Sequence, residues 1–161
     1  MNEIIILSAE YLFAVVVLLI LIAWWMVAKK DRIRIASMII LAGIIAFILS
    51  RIASKLYYDP RPFVVEHVKP LIPHAPDNGF PSDHALLTGT LTAVTFFFNK
   101  KIASVMVILT IIVGVARVLA KVHSPLDIGS GWIFGIIGAV ASYYLISWYF
   151  DKKIKTSKST S

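Results

Sequence analysis

The chain has 161 residues, 58% of them hydrophobic and only 16% charged, with a mean hydropathy of +0.82. Soluble domains average about 45–50% apolar and about 25% charged residues, so the composition argues against a water-soluble fold, and the absence of cysteine excludes disulfides and thiolate metal sites. The net charge of +7 does not by itself indicate nucleic acid, because basic residues in a membrane protein gather in cytoplasmic loops.

A bilayer core of about 30 Å requires roughly 20 apolar residues in a helix. In chain order, candidate spans fall at residues 4–28, 35–57, 82–98, 102–120 and 127–150, the third being short. The first run lacks a basic leader and is too long for a signal h-region, so no cleavable signal peptide is expected. Residues 58–81 hold six prolines and cannot form a regular helix. There are no internal repeats. The expectation is an all-α, multi-pass bundle of about five spans forming one domain over residues 1–161, with a polar tail at 151–161. Its last residues, Ser157–Ser161, are expected to be disordered.

Basic residues sort with this topology. Lys29, Lys30, Arg32 and Arg34 lie between spans one and two, Lys100 and Lys101 between three and four, and Lys152, Lys153, Lys155 and Lys158 after span five. Five spans put these segments on one side, which the positive-inside rule makes cytoplasmic. The N-terminus, the Pro-rich segment and the turn 121–126 then lie outside. Trp24, Trp25, Trp148 and Tyr149 mark the inner boundary, and Tyr57 and Tyr58 the outer one.

Arg51, Lys55, Arg61, Ser82, Asp83, His84, Arg117, Lys121, His123 and Asp127 are expected to converge at the outer ends of spans two to five. Ionisable groups near membrane depth are costly and point to function, although Arg51, Lys55 and Lys121 also suit headgroup snorkelling. In His123-Ser-Pro-Leu-Asp127, Ser124 reads as an N-cap and Pro125 as the first helical residue. Asp127 then lies within reach of His123, where a carboxylate on one ring nitrogen leaves the other free as a nucleophile. Ser82 can cap span three, whose free amides and dipole favour an anion. Two arginine forks, Arg61 and Arg117, suit phosphate oxygens, and Lys55 adds a point charge. Such a set serves phosphoryl transfer. The residues alone do not decide which histidine attacks.

Three blocks carry a resemblance. They read Lys55-Leu-Tyr-Tyr-Asp-Pro-Arg61-Pro62, then Pro81-Ser82-Asp83-His84, then Ala116-Arg117 followed after five residues by His123 and after three more by Asp127. Together they resemble the type 2 phosphatidic acid phosphatase (PAP2) superfamily, and their spelling looks like its bacitracin-resistance branch, the undecaprenyl-diphosphate phosphatases. Three departures stand out: five residues rather than six separate Lys55 from Arg61, Asp83 replaces a glycine, and Ala116 replaces a serine. The resemblance implies that His123 is the nucleophile of a phosphohistidine intermediate, that Asp127 orients it and that His84 protonates the leaving oxygen. Lys55, Arg61, Ser82, the Asp83 backbone and Arg117 would hold the phosphate. It implies a polyprenyl diphosphate as substrate. The cationic side chains lead to the expectation of neither cofactor nor metal, and the topology above puts the active site on the extracytoplasmic side of the cell membrane.

Arg51, one turn before Lys55, is either a contact for a second phosphate or a headgroup anchor. Glu66, His67, His74 and Asp77 match no familiar metal spacing and read as a solvated loop. Asp127, Gly131, Gly135, Ala139 and Ser142 recur along one face of span five and favour close helix packing. Thr88, Thr92 and Thr95 are expected to bond neighbouring helices. Two alternatives remain open: a phosphatase for another lipid, such as phosphatidic acid or phosphatidylglycerophosphate, and a small transporter or channel subunit. No nucleic-acid partner is expected, and the sequence does not define an oligomeric state.

Overall fold

The computed structural model describes the backbone of residues 2–159 and the side chains of residues 2–153. Among the described residues seven α-helices follow one another: α1 (Asn2–Glu10), α2 (Leu12–Met26), α3 (Arg32–Leu56), the single turn α4 (Pro62–Val65), α5 (Asp83–Phe96), α6 (Lys100–Leu119) and α7 (Pro125–Ser159). Among the described residues there is no strand, only an isolated bridge between Pro60 and Asn78.

Helices α3, α6 and α7 are each long and apolar enough to cross a membrane. The first expected span is instead a bent pair: α1 and α2 meet at 42° around Tyr11 and count as one span only together. The expected third span becomes α5, whose 14 residues rise about 21 Å at about 1.5 Å each, less than a bilayer core. By length and composition there are therefore three crossing helices among the described residues, or four with the bent pair, and α5 is packed inside the bundle. Helix α7 runs to Ser159, so the tail expected to be disordered is helical as far as it is described, and residues 160–161 lie outside the described part.

The two ends of the bundle differ. At one end Arg34, in the first turn of α3, pairs with Asp151 of α7 at 3.7 Å, and Arg32 donates to the carbonyls of Trp25 and Val27. The α5–α6 link ends there too, with Asn99 capping α6 through the Ile102 amide. The other end carries the remaining charged groups described below.

What sets the depth of packing is the small-residue face of α7. A Cβ added at Gly131 would sit 2.9 Å from the Leu86 amide nitrogen, and one at Gly135 would sit 2.6 Å from that of Thr90, so the α5 and α7 backbones nearly touch. Asp127, Ala139 and Ser142 on the same face are fully buried, as their spacing suggested. The threonines of α5 behave differently from expectation. Thr92 does reach Thr110 of α6 at 2.9 Å, but Thr88 and Thr95 return their hydroxyls to the carbonyls of His84 and Leu91. A threonine hydroxyl can share the carbonyl one turn back with the helix's own amide and so satisfy itself locally.

This packing predicts opposite signs for two alanine substitutions. Gly135→Ala forces a methyl against backbone and should destabilise by about 1–3 kcal/mol. At Gly43, in mid-α3, an added Cβ meets nothing within 4 Å, so Gly43→Ala should stabilise by roughly 0.5–1 kcal/mol through helix propensity. Thermal unfolding of both variants in one detergent checks the pair; equal midpoints would refute the contact.

Candidate active site

The charged end encloses a cavity of about 240 Å³. Helix α3 contributes Arg51 and Ser54, α5 contributes Asp83 and His84, α6 contributes Arg117, and His123 comes from the turn before α7. The Pro-rich segment lines the rest, with Arg61, His74, Asp77 and the run from Asn78 to Pro81. A larger apolar depression of about 460 Å³, bounded by residues such as Gly89, Phe96, Trp132 and Ile136, has no ionisable side chain on its walls and offers no acid, base or nucleophile.

His123 is held by the start of α7. The Asp127 amide donates to Ser124 Oγ at 3.1 Å, and the Ser124 amide donates to Asp127 Oδ2 at 2.8 Å, a reciprocal cap. Ser124 Oγ in turn donates to Asp59 Oδ2 at 2.7 Å. The same Asp127 oxygen lies 3.3 Å from His123 Nδ1, while the carbonyl oxygen of Gly79 is closer, at 2.9 Å. A carbonyl only accepts, so Nδ1 carries the proton and Nε2 keeps its lone pair. Arg117 Nη2, 3.4 Å from Nε2, only donates, and agrees with that tautomer. Burial lowers the pKa of His123 below its ordinary value, opposed by the Asp127 hydrogen bond and reinforced by Arg117 and Arg61. The ring is therefore neutral at pH 7, with Nε2 available.

Gly79 has to be small here. A Cβ would lie 2.9 Å from Asp127 Oδ2 and 3.3 Å from Arg61 Cγ. Asn78 fixes the segment around it: its side-chain oxygen accepts from the Asp59 and Phe80 amides, and its Nδ2 donates to the carbonyls of Ser54 and Tyr57 at the end of α3.

Both arginines are buried. Arg61 donates to Asp77 Oδ1 and to the Val122 carbonyl, each at 2.8 Å, and this pairing holds the Asp77 carboxyl below the usual carboxylate range. Arg117, 2% exposed, donates to the Ala9 carbonyl at 3.1 Å and to His74 Nε2 at 2.8 Å. The break between α1 and α2 frees the Ala9 carbonyl for this role. His74 is a site residue that its spacing did not mark. Burial, with Arg117 and Arg61 nearby, lowers its pKa to about 4, so it is a neutral acceptor. Of the others read as a solvated loop, Asp77 borders the cavity and pairs with Arg61, and Glu66 pairs with Lys121 at 2.8 Å.

Of the expected site residues, His84, Arg61, Asp83, Arg117, His123 and Arg51 line the cavity. Asp127 supports it from behind, fully buried. Ser82 occupies the N-cap of α5, but its buried hydroxyl bonds neither its own helix nor any other described group. Lys55 does not join the cavity. It borders an outward depression of about 250 Å³ with Phe47, Ile48, Arg51 and Ile52. Adjacent helical residues are about 100° apart, so the cavity-facing position at that level is Ser54, and the cation comes from Arg51, one turn earlier. Arg51 Nη2 bonds Asp83 Oδ1 at 2.7 Å across the cavity mouth. Four of the six buried side-chain atoms without a partner among the described residues belong to this region: Ser82 Oγ, Arg117 Nε, Asp127 Oδ1 and His74 Nδ1. Such atoms are rare in finished interiors and mark a site for a polar ligand.

The sequence pattern of the PAP2 superfamily matches residues 34–151. The chain is 31% identical over 145 residues to the bacitracin transport permease protein BcrC of Bacillus licheniformis, covering 89% of this chain and 71% of that protein. It is 32% identical over 119 residues to the undecaprenyl-diphosphatase BcrC of Bacillus subtilis, covering 74% of this chain and 62% of that one, less than two thirds of its length. Among solved structures, Aquifex aeolicus LpxE superposes with a TM-score of 0.65 at 25% identity, over 88% of this chain and 82% of that one. The transmembrane PAP2-type phosphatidylglycerolphosphate phosphatase of Bacillus subtilis superposes with 0.62 at 19% identity, over 94% and 77%, and shares the fold.

The His74–Arg117 contact generates a prediction. A hydrogen bond to a charged group is worth about 1.5–3 kcal/mol. His74→Leu should therefore weaken orthophosphate or vanadate binding about tenfold or more, and His74→Gln, which keeps a neutral acceptor, should recover most of it. Isothermal titration of both variants checks this; equal losses in Leu and Gln would remove His74 from the anion site.

Proposed function

This chain belongs to the PAP2 superfamily and is a membrane phosphatase, and we propose that it hydrolyses a polyprenyl diphosphate of the undecaprenyl type to the monophosphate and inorganic phosphate through a phosphohistidine. The observation that carries the reading is the tautomer of His123. Its Nδ1 proton is committed to the Gly79 carbonyl, and its Nε2 lone pair stands beside Arg117 at the cavity wall. The likeness to the undecaprenyl-diphosphatase of Bacillus subtilis supports the substrate class.

In the proposed first step His123 Nε2 forms a bond to the terminal phosphorus and the bond from phosphorus to the bridging oxygen breaks. The electron pair stays on that oxygen, and His84 supplies its proton. In the second step water attacks the phosphorus, its proton goes to His84, and the N–P bond breaks to release inorganic phosphate. Arg61, Arg117 and the free amides at the start of α5 stabilise the equatorial oxygens. Asp127 keeps the Nδ1 proton in place and offsets charge on the ring. His84 is partly buried at the cavity edge, its ring set edge-on to Phe13 at 5.0 Å. The cations stand where other phosphatases place metal ions, so the reaction requires none. The permease name of the Bacillus licheniformis relative raises a transport reading; the charged wall of this chain is confined to one end of the bundle and does not favour it. We further propose that this end faces outward, with the Lys29–Arg34 and Lys100–Lys101 segments in the cytoplasm.

Phosphate release by the purified chain tests the chemistry. Catalytic efficiency on a polyprenyl diphosphate should exceed that on phosphatidic acid at least about tenfold, or about 1.4 kcal/mol in the transition state, and should survive chelators. His123→Ala should abolish release and acid-labile phosphate trapping on every substrate. His84→Ala should lose about 10²–10⁴-fold on an alkyl phosphate but far less on an activated aryl phosphate, whose leaving oxygen needs no proton. A trapped phosphoenzyme in His123→Ala, or a tenfold preference for the glycerophospholipid, would overturn the reading.

Orientation is checked separately. The chain has no cysteine, and Lys69 and Lys101 are exposed. An impermeant thiol reagent on intact cells should label Lys69→Cys and spare Lys101→Cys; the reverse pattern inverts the topology.

A further inference from the structure

We propose that the Arg51–Asp83 pair is the subsite for the phosphate that stays on the lipid, and that the first isoprenoid units leave this subsite along the apolar depression of α3 bounded by Phe47, Ile48 and Ile52. The proposal rests on the diphosphate reading above and deepens it.

The argument begins with order along the cavity. Its inner wall is formed by Arg117, Arg61 and His123, all buried. His84, the proposed donor to the bridging oxygen, is less buried and belongs to the first turn of α5. The residue directly before it, Asp83, is exposed at the mouth and holds Arg51 at 2.7 Å. A diphosphate whose terminal phosphorus meets His123 and whose bridging oxygen meets His84 therefore brings its second phosphate to the level of Asp83 and Arg51. Asp83 there acts as a resident anion. Its carboxylate occupies the guanidinium that a phosphate, with more acceptor oxygens and more charge, would take over. A monoester has no group to make this exchange.

The second observation is continuity. Arg51 is the residue shared between the catalytic cavity and the outward depression of about 250 Å³. On the depression side its guanidinium carbon lies 5.2 Å from the Phe47 ring, a cation–π contact, and Phe47, Ile48 and Ile52 are exposed apolar side chains. One guanidinium thus borders a polar chamber on one side and an apolar surface on the other, the sequence of environments met along a lipid diphosphate from its head into its chain. Lys55, at the far edge of the depression, adds positive charge near the departing monophosphate.

The test uses the purified full chain in one detergent, with two lipid substrates and two soluble inhibitors. Arg51→Gln should lower kcat/KM for the polyprenyl diphosphate about tenfold more than for phosphatidic acid, the scale of one charge-assisted hydrogen bond. It should also raise the inhibition constant of inorganic diphosphate by a similar factor and that of orthophosphate by much less. Arg51→Lys should fall between. Asp83→Asn, which removes the competing anion, should tighten inorganic diphosphate a few-fold. Ile48→Asp should raise KM for the lipid diphosphate by a larger factor than it raises the inhibition constant of inorganic diphosphate. If Arg51→Gln lowers both lipid efficiencies equally and leaves the two inhibitors in their original ratio, the subsite is wrong while the diphosphatase reading stands. If the native chain fails to cleave polyprenyl diphosphate, that reading fails, and the inorganic diphosphate series still decides whether Arg51 and Asp83 bind a second phosphate. Equal effects of Ile48→Asp on lipid and inorganic diphosphate would overturn the chain path alone.

Discussion

A guanidinium that is 2% exposed must find acceptors within the protein, because burying its charge unpaired is costly. Arg117 takes one from each of three separate parts of the chain: the Ala9 carbonyl at the bend of the first helix pair, His74 from the Pro-rich segment, and His123 from the turn before α7. Each acceptor explains a feature that looks irregular in isolation. The break at Tyr11 exposes a carbonyl; the proline-rich segment folds inward as far as His74; the nucleophile candidate presents Nε2 rather than Nδ1. Arg117 is also where the helix bundle and the outer segment become one structure, since Ala9, Ala116, Ala120 and Val122 share an apolar cluster with Ile72.

The parts of the site that were legible in the sequence are those set by local geometry. Ser124, Pro125 and Asp127 form a helix start over four residues, and the structure builds the cap that their types require. The four-residue recurrence of small groups in α7 likewise encodes which face is buried, and the close approach to α5 follows from it. The parts that were not legible depend on backbone acceptors or on rotation about a helix axis. No side-chain pattern announces that the Gly79 carbonyl will compete with Asp127 for His123 Nδ1. His74 sits in a loop whose spacing resembles nothing, and its role comes from a partner 43 positions away. Lys55 had the right chemistry but stands one residue off the facing position, so Ser54 and Arg51 border the cavity instead. One residue of spacing was the only sign of that rotation.

The short α5 has a physical reason to be short. Its N-terminus is needed at the depth of the site, where Asp83 and His84 reach the cavity, and its other end meets the α6 cap at Asn99. Almost every position between is buried against a neighbour, including Thr88, Gly89, Thr90 and Thr92. A helix enclosed in this way does not need bilayer length, because its backbone is shielded by protein rather than by lipid. Its apolar run suggests a crossing in the sequence, yet its composition, with four threonines among 14 residues, is that of a packed core helix.

Seven of the thirteen residues that border the charged cavity lie from Arg61 to Pro81, outside the helices that hold the bundle together. The scaffold and most of the cavity wall are thus encoded in separate stretches of the chain. A combinatorial library confined to the exposed members of that stretch would sample new headgroup preferences without passing through the glycine contacts of α7. The bonds that Asn78 Nδ2 donates to the end of α3 mark the position such a library should leave untouched. Modularity of this kind lets one membrane framework carry a changed cavity wall by drift in a single surface segment.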